Sequence, residues 1–337
     1  MASGTALFTN LGVIYNSKMR DTLIDQVALS SPLMYRLMQN KRLEGGGGVK
    51  IPLNYVRNTN IGTITPFADP NYVVPNTMAY AEEMYVTLSQ NVAYSDLLRR
   101  MNEGTDEMLK ATQYLADEVD RARNTMEYYI SMMIFGDGSD IAVPDSGGRS
   151  ISGFTGLRKI ISTSNTVHGI SQSTYSWWQA GATTALNSGT ALSFANFILS
   201  THAGYVFKVL RNLVGAASVN NNKPDLIVTT QIISDAYDTA LGENKRMVNV
   251  TLGDHSFETL EFRGIPIVVD DLCPAGYGFA LNTNHLAIAI NPPGEFVMSE
   301  WEKRGDAHIA SIDLDFALTC DMPRYQALFS DGPISYT

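Results

Sequence analysis

The sequence predicts an α+β fold, and three stretches carry that prediction. Residues Glu103 to Phe135 read as one long amphipathic helix. Val49 to Tyr55 and Glu83 to Val92 read as the two strands of a long hairpin. From Pro224 onward short strands and a helix alternate as a small mixed unit, and Ile309 to Cys320 then forms the clearest strand of the chain.

The helix rests on Met108, Thr112, Leu115, Val119, Ala122, Met126, Tyr129 and Met133, spaced by threes and fours along one stripe. Glu107, Lys110, Asp117, Asp120, Arg121, Arg123 and Glu127 occupy the other face. Gly136 follows, where a residue tolerant of positive φ stops a helix. At 1.5 Å per residue the segment spans about 50 Å, the width of a compact globule of this size. By itself the stretch also fits the long core helix of an ordinary α/β protein.

Ahead of the helix, residues 17 to 40 show helical spacing at Leu23, Ile24, Val27, Leu33, Leu37 and Met38, with Pro32 a break or a second start after Ser30 and Ser31. Gly45 to Gly48 lack the Gly-Lys-Ser or Gly-Lys-Thr of a phosphate loop and read as a junction. Val49, Ile51, Leu53 and Tyr55 then alternate with polar residues, Pro52 assigning the strand to an edge. Met84, Val86 and Leu88 alternate on the returning strand. Between them more than 20 residues, from Asn58 to Ala81, show no structure of their own. Such a connection argues against a compact domain. Two readings stand: a flexible surface loop, or an arm whose tip residues Phe67, Tyr72, Val73 and Val74 bury themselves on another subunit.

Beyond the long helix, Gly136 to Asp140 carry turn chemistry; Asp137 and Asp140 lack the ligand pattern of a calcium loop. A short helix follows in ISGFTGLRKIIS from Ile151, Trp177 and Trp178 anchor apolar packing, and a second helix runs from Leu192 to Leu213. Leu226 to Thr229 is a strand and Gln231 to Leu241 a helix begun by Thr230. Phe262 to Val269 is a strand interrupted at Gly264 and Pro266, and Gly278 to Ile290 is two strands around Asn282 to Asn284. In the long final strand Ile312, Leu314, Phe316, Leu318 and Cys320 share one face, and Tyr325 to Phe329 ends the pattern.

Composition bounds the function. The chain has 337 residues, 45% of them hydrophobic and 17% charged, enough for one large core or two moderate ones. No apolar run approaches 18 residues, so no membrane span is expected, and no secretory signal is visible. The net charge of −10 disfavours a protein whose task is to grip nucleic acid. Cys273 and Cys320 stand apart and read as buried thiols. His168, His202, His255, His285 and His308 are scattered outside any metal motif. Neither a nucleophile elbow nor a dinucleotide fingerprint is found. Asp270 and Asp271, at the end of a strand, are the one pair placed as a base or metal ligand would be in an α/β enzyme.

The order of these elements is more specific than any one of them. A helical arm, a long two-stranded loop, a long helix, a GDGS turn, GLRKII, a second helix, PDLIVTTQIISDAYDTAL, FRGIPIVVDDLCPAGYGFALN and a strand ending CDMPRYQALF together resemble the major capsid protein of tailed bacteriophages. The resemblance covers nearly the whole chain. It implies an N-terminal arm (1–44), an extended loop (45–92), a peripheral domain (93–223 and 299–337) built on a spine helix (103–135), and an axial domain (224–298). It further implies a homo-oligomer of pentamers and hexamers in an icosahedral shell around double-stranded DNA, held without sequence-specific binding. A virion location, assembly in the host cytoplasm, a portal, and neither enzymatic activity nor cofactor nor metal complete the implied picture.

Because Met1 leads directly into the arm, a separate scaffolding protein is expected. The extended loop carries its one lysine, Lys50, at its base, so no covalent crosslinking is expected. Phe67, Tyr72, Val73 and Val74 become expected inter-subunit contacts. The alternatives are an encapsulin-like bacterial nanocompartment shell and an α/β enzyme using Asp270 or Asp271.

Overall fold

The computed structural model describes residues 31–58, 61–63, 65–66, 76–96, 111–143, 150–151, 153–184, 203–219, 222–241, 247–252, 255–292 and 296–330. Their elements, in chain order, follow the sequence pattern closely. Helix α1 (Pro32–Gln39) starts where Ser31 accepts the Met34 N–H and Pro32 supplies a preset φ, while residues 17–30 of the expected segment lie outside the described residues. Strands β1 (Arg42–Leu43), β2 (Gly48–Asn54), β3 (Met78–Met84) and β4 (Val86–Ser95) precede the long helix α2 (Ala111–Ile134). After it come β5 (Ile141–Ala142), β6 (Ser150–Ile151), α3 (Leu157–Ile160), β7 (Thr166–Val167), β8 (Ile170–Ser171), β9 (Gly181–Thr184) and α4 (Ala203–Ala217). Strand β10 (Leu226–Thr229), helix α5 (Gln231–Leu241) and strands β11 (Met247–Leu252), β12 (His255–Phe262), β13 (Ile265–Val269) and β14 (Tyr277–Leu281) follow. The chain closes through β15 (Leu286–Ile290), β16 (Val297–Met298), β17 (Glu302–Arg304), β18 (Ala307–Cys320) and β19 (Ala327–Ser330).

Four expectations need correction. The returning hairpin strand is β3, not Glu83 to Val92: Asn54 pairs with Met78 and Gly48 with Met84, and the chain leaves the ladder at Tyr85 to begin β4. Phe262 to Val269 is not one strand. Arg263 and Gly264, at φ 54° and 83°, make a two-residue turn between β12 and β13, pairing Phe262 with Ile265. The second helix continues past Leu213 to Ala217, and Leu192 to His202 lie outside the described residues, as do Glu103 to Lys110 of the first. Gly136 is not at positive φ. Glycine is required there because a Cβ would stand 2.8 Å from the Met133 carbonyl oxygen, and at Gly156 one would stand 2.5 Å from the carbonyl oxygens of both Met133 and Gly136.

The described residues divide into two compact units. In the smaller, drawn from Leu88–Tyr129 and Glu295–Leu314, the first part of β18 pairs with β4, β16 and β17. Leu88 and Val92 turn inward, as do Ala310, Ile312 and Leu314, the alternation of a sheet with one face in the core. Asp96 holds Lys303 at 3.0 Å and His308 at 3.1 Å, and these bonds keep its carboxyl below the usual range.

The larger unit, from Ser30–Thr87, Ile130–Gly294 and Asp315–Thr337, is built on a seven-stranded sheet ordered β11-β12-β13-β10-β14-β19-β9. Helices α4 and α5 cover one face through Val206, Leu210, Leu213, Ile233 and Tyr237 against Ile227, Ile267, Ala280 and Phe329. On the other face Phe279 meets Phe135, just past the end of α2, with ring centroids 5.6 Å apart. Burial on both faces explains why Leu226 to Thr229 is apolar without alternation. Strands β9 and β19 enter from outside 224–298, so the sheet's membership does not follow that sequence interval. The end of α2 is fixed by Arg158, whose Nε donates to the Phe135 carbonyl at 2.8 Å while its guanidinium lies over Tyr277.

Candidate functional site

The feature of the larger unit that its own core leaves unexplained is the β2–β3 hairpin. Period-two geometry sorts its residues onto two faces. One face turns in: Val49 is 3% exposed and Ala81 fully buried. The opposite face carries Met78, Tyr80 and Met84 at 72%, 62% and 70% exposure. Pro52 stands opposite Tyr80, and Lys50 opposite Glu82 in an ion pair of 3.4 Å with its ammonium 5.5 Å from the Tyr80 ring. Leu43, Val56 and Ile61 add exposed apolar surface before and after β2. An edge ribbon with apolar groups on its open side carries uncovered apolar surface of the kind that marks interaction sites.

Sequence reading missed Met78, Tyr80 and Met84, although the signal was present. MAYAEEM alternates large apolar residues with alanine, but reading Glu83 to Val92 as the return strand grouped Met84 with Val86 and Leu88 instead of with Met78 and Tyr80. The residues expected to make these contacts, Phe67, Tyr72, Val73 and Val74, lie outside the described residues.

The hairpin is held at its base. The β7–β8 turn, with His168 and Gly169 at φ 50° and 77°, presents the His168 carbonyl to the Glu82 N–H at 2.9 Å. The same imidazole, 2% exposed as a residue, lies 2.8 Å from Glu83 Oε2 through Nδ1 and accepts the Cys320 N–H at 3.1 Å through Nε2. Trp178 stands beside the ring and donates its own Nε1–H to the Val167 carbonyl.

Asp270, the candidate base, is buried at 1% exposure and employed otherwise. Ser31 Oγ donates to its Oδ2 at 2.5 Å, the Leu33 N–H approaches the same oxygen at 3.5 Å, and the Leu272 N–H donates to Oδ1 at 3.0 Å. Burial pushes this carboxyl up, and the bonds from Ser31, Leu272 and Leu33 oppose that push. The arrangement is a carboxylate pinning the N-terminus of α1. Asp137 and Asp140 likewise serve turns, accepting the N–H groups of Ser139 and Gly153. Both cysteines are buried, and burial pushes both thiols far up. Among the described residues no group of His, Cys, Asp and Glu is arranged to hold a metal ion, and no helix is long and apolar enough to cross a membrane.

Comparison with known proteins places this architecture. No family model matches the chain, and no curated protein does. Solved structures do. The capsid asymmetric unit of cyanophage A-1(L) superposes with a TM-score of 0.64 over 94% of this chain and 96% of that one, at 15% identity. The holo-SrpI encapsulin of Synechococcus elongatus PCC 7942 gives 0.55 over 97% and 98% at 9% identity. The capsid of Myoviridae phage XM1 gives 0.54 over 96% and 97% at 11% identity. The chain therefore has the shell-protein fold common to tailed-phage capsids and an encapsulin. Its α+β class and the order of its elements agree with the expectation drawn from the sequence.

Proposed function

We propose that this chain is the major capsid protein of a tailed bacteriophage, a structural protein whose copies form pentamers and hexamers and close an icosahedral shell around double-stranded DNA. The observation that carries the reading is the open apolar face of the β2–β3 hairpin on a fold otherwise found in shells. An enzyme gathers polar groups around a substrate; here Asp270, a buried carboxylate at a strand end, serves to pin a helix. The net charge of −10 suits a wall that must not adhere to the genome it encloses.

In this reading residues 1–44 are the arm, 45–92 the extended loop, 93–223 with 299–337 the peripheral domain, and 224–298 the axial domain. A separate scaffolding protein and a portal direct assembly in the host cytoplasm, and the finished product resides in the virion. Phe67, Tyr72, Val73 and Val74 extend the contact surface beyond Met78 and Tyr80. A nanocompartment shell is the second reading, favoured by the encapsulin likeness. Size-exclusion chromatography with light scattering, followed by electron microscopy of protein co-expressed with its scaffold, tests both. Megadalton shells with DNA in mature particles are expected; shells loaded with a cargo enzyme support the nanocompartment, and a protein that stays monomeric or dimeric refutes both.

A further inference from the structure

His168 joins three segments far apart in sequence. Its backbone oxygen takes the Glu82 N–H, one ring nitrogen meets Glu83, and the other takes the N–H of Cys320 at the end of β18. The last bond fixes the proton: Nε2 accepts, so it carries no hydrogen, and the neutral ring holds its hydrogen on Nδ1 and donates it to the Glu83 carboxylate. The tight turn at positive φ sets the direction of the side chain, and Trp178 limits its rotation. Next to these bonds lies a cleft of about 520 Å³ lined by Glu82, Glu83, Met84, Lys159, His168 and Gly169, among others. On this side the hairpin base borders open space rather than packed core, and the bonds at His168 are polar attachments that reach it there.

We propose that His168 is a two-ended latch between the β2–β3 hairpin and strand β18, and that the hairpin swings as one body when the imidazole releases either end. Both ends belong to the larger unit, so the latch works in the unassembled subunit and is independent of the shell reading. The charged groups around it are Glu83 and Glu82 on β3, Lys159 on α3, and Asp137 across the cleft, and the Cys320 thiol neighbours it on β18. The ion pair of Glu82 with Lys50 leaves Glu83 as the carboxylate directed at the ring.

Hydrogen exchange on the unassembled subunit tests this directly, because the Glu82 and Cys320 amides are themselves bonded to His168. His168→Asn keeps a residue tolerant of positive φ but is too short to reach both partners. It is expected to speed exchange at Glu82 and Cys320 about tenfold or more, with the amides of β10 and β14 unchanged. Glu83→Ala, which leaves the turn intact, should speed the Glu82 amide similarly, whereas Glu83→Gln keeps an acceptor for Nδ1–H and should exchange as the unmodified protein does. The latch is refuted if His168→Asn leaves both amides protected, if it speeds β10 and β14 by the same factor, or if Glu83→Ala and Glu83→Gln behave alike.

Discussion

Replacing Met78 and Tyr80 together by serine removes the middle of the hairpin's open face while touching nothing in the core. With 72% and 62% of their surface exposed, and taking about 200 Å² for a full side chain of this size, the pair presents about 270 Å² of apolar surface that the proposed subunit contact would cover. At about 25 cal/mol per Å² that is at most about 7 kcal/mol per contact. Association costs and incomplete burial leave roughly a third of it, about 2 kcal/mol, or about 30-fold in the association constant of each contact. The threshold concentration for assembly, followed by light scattering with the scaffold present, should rise by at least that factor because contacts multiply around a capsomer. Thermal melting of the subunit should stay within about 0.5 kcal/mol of the unmodified protein, as for other surface changes. Assembly at an unchanged threshold would refute the assignment of this face to subunit contact.

Four further outcomes follow from the same geometry. Cys273 and Cys320 should resist a maleimide in the native subunit at pH 8 and react only on unfolding, as mass spectrometry of the labelled protein would show; rapid native labelling of either contradicts their burial. Ser31→Ala deletes a helix cap and strips the buried Asp270 of a donor, for a loss of about 2–3 kcal/mol in urea unfolding. Because the folded pKa of Asp270 is raised, the native state takes up its proton first. Its contribution to stability is therefore fully present below the ordinary carboxylate range and lost as pH rises through the folded pKa, a trend that Asp270→Asn should flatten. Finally, Lys50 already pairs with Glu82, and denaturing gels of mature particles should show the monomer band without a ladder of crosslinked species.

How far the sequence could be read depended on whether apolar residues point into this subunit's own core. In β10, α5 and β18 they do, and those elements stand where periodicity put them. In β3 they do not: Met78, Tyr80 and Met84 face away, and assuming that apolar means inward moved the strand by several residues. The β12–β13 turn was missed for a different reason. Gly264 reads as a blemish in one strand until Arg263 is also seen at positive φ, and nothing in one residue's identity announces that. The His168 bridge and the Ser31–Asp270 bond join residues 85 to 239 positions apart, and no local pattern encodes such a meeting. The order of elements, by contrast, is a property of the whole chain, and it carried the fold across an identity of 15%.

Strand β19 sits between β14 and β9, in parallel with the latter. During translation β9 leaves the ribosome about 140 residues before β19 is made, an interval on the order of ten seconds. For most of it β9 has no neighbour to pair with, and once β14 is made two unfilled sheet edges face the place of a strand not yet synthesised. The nascent polypeptide can complete this sheet only when β19 arrives, so the full fold cannot exist before synthesis has passed residue 330.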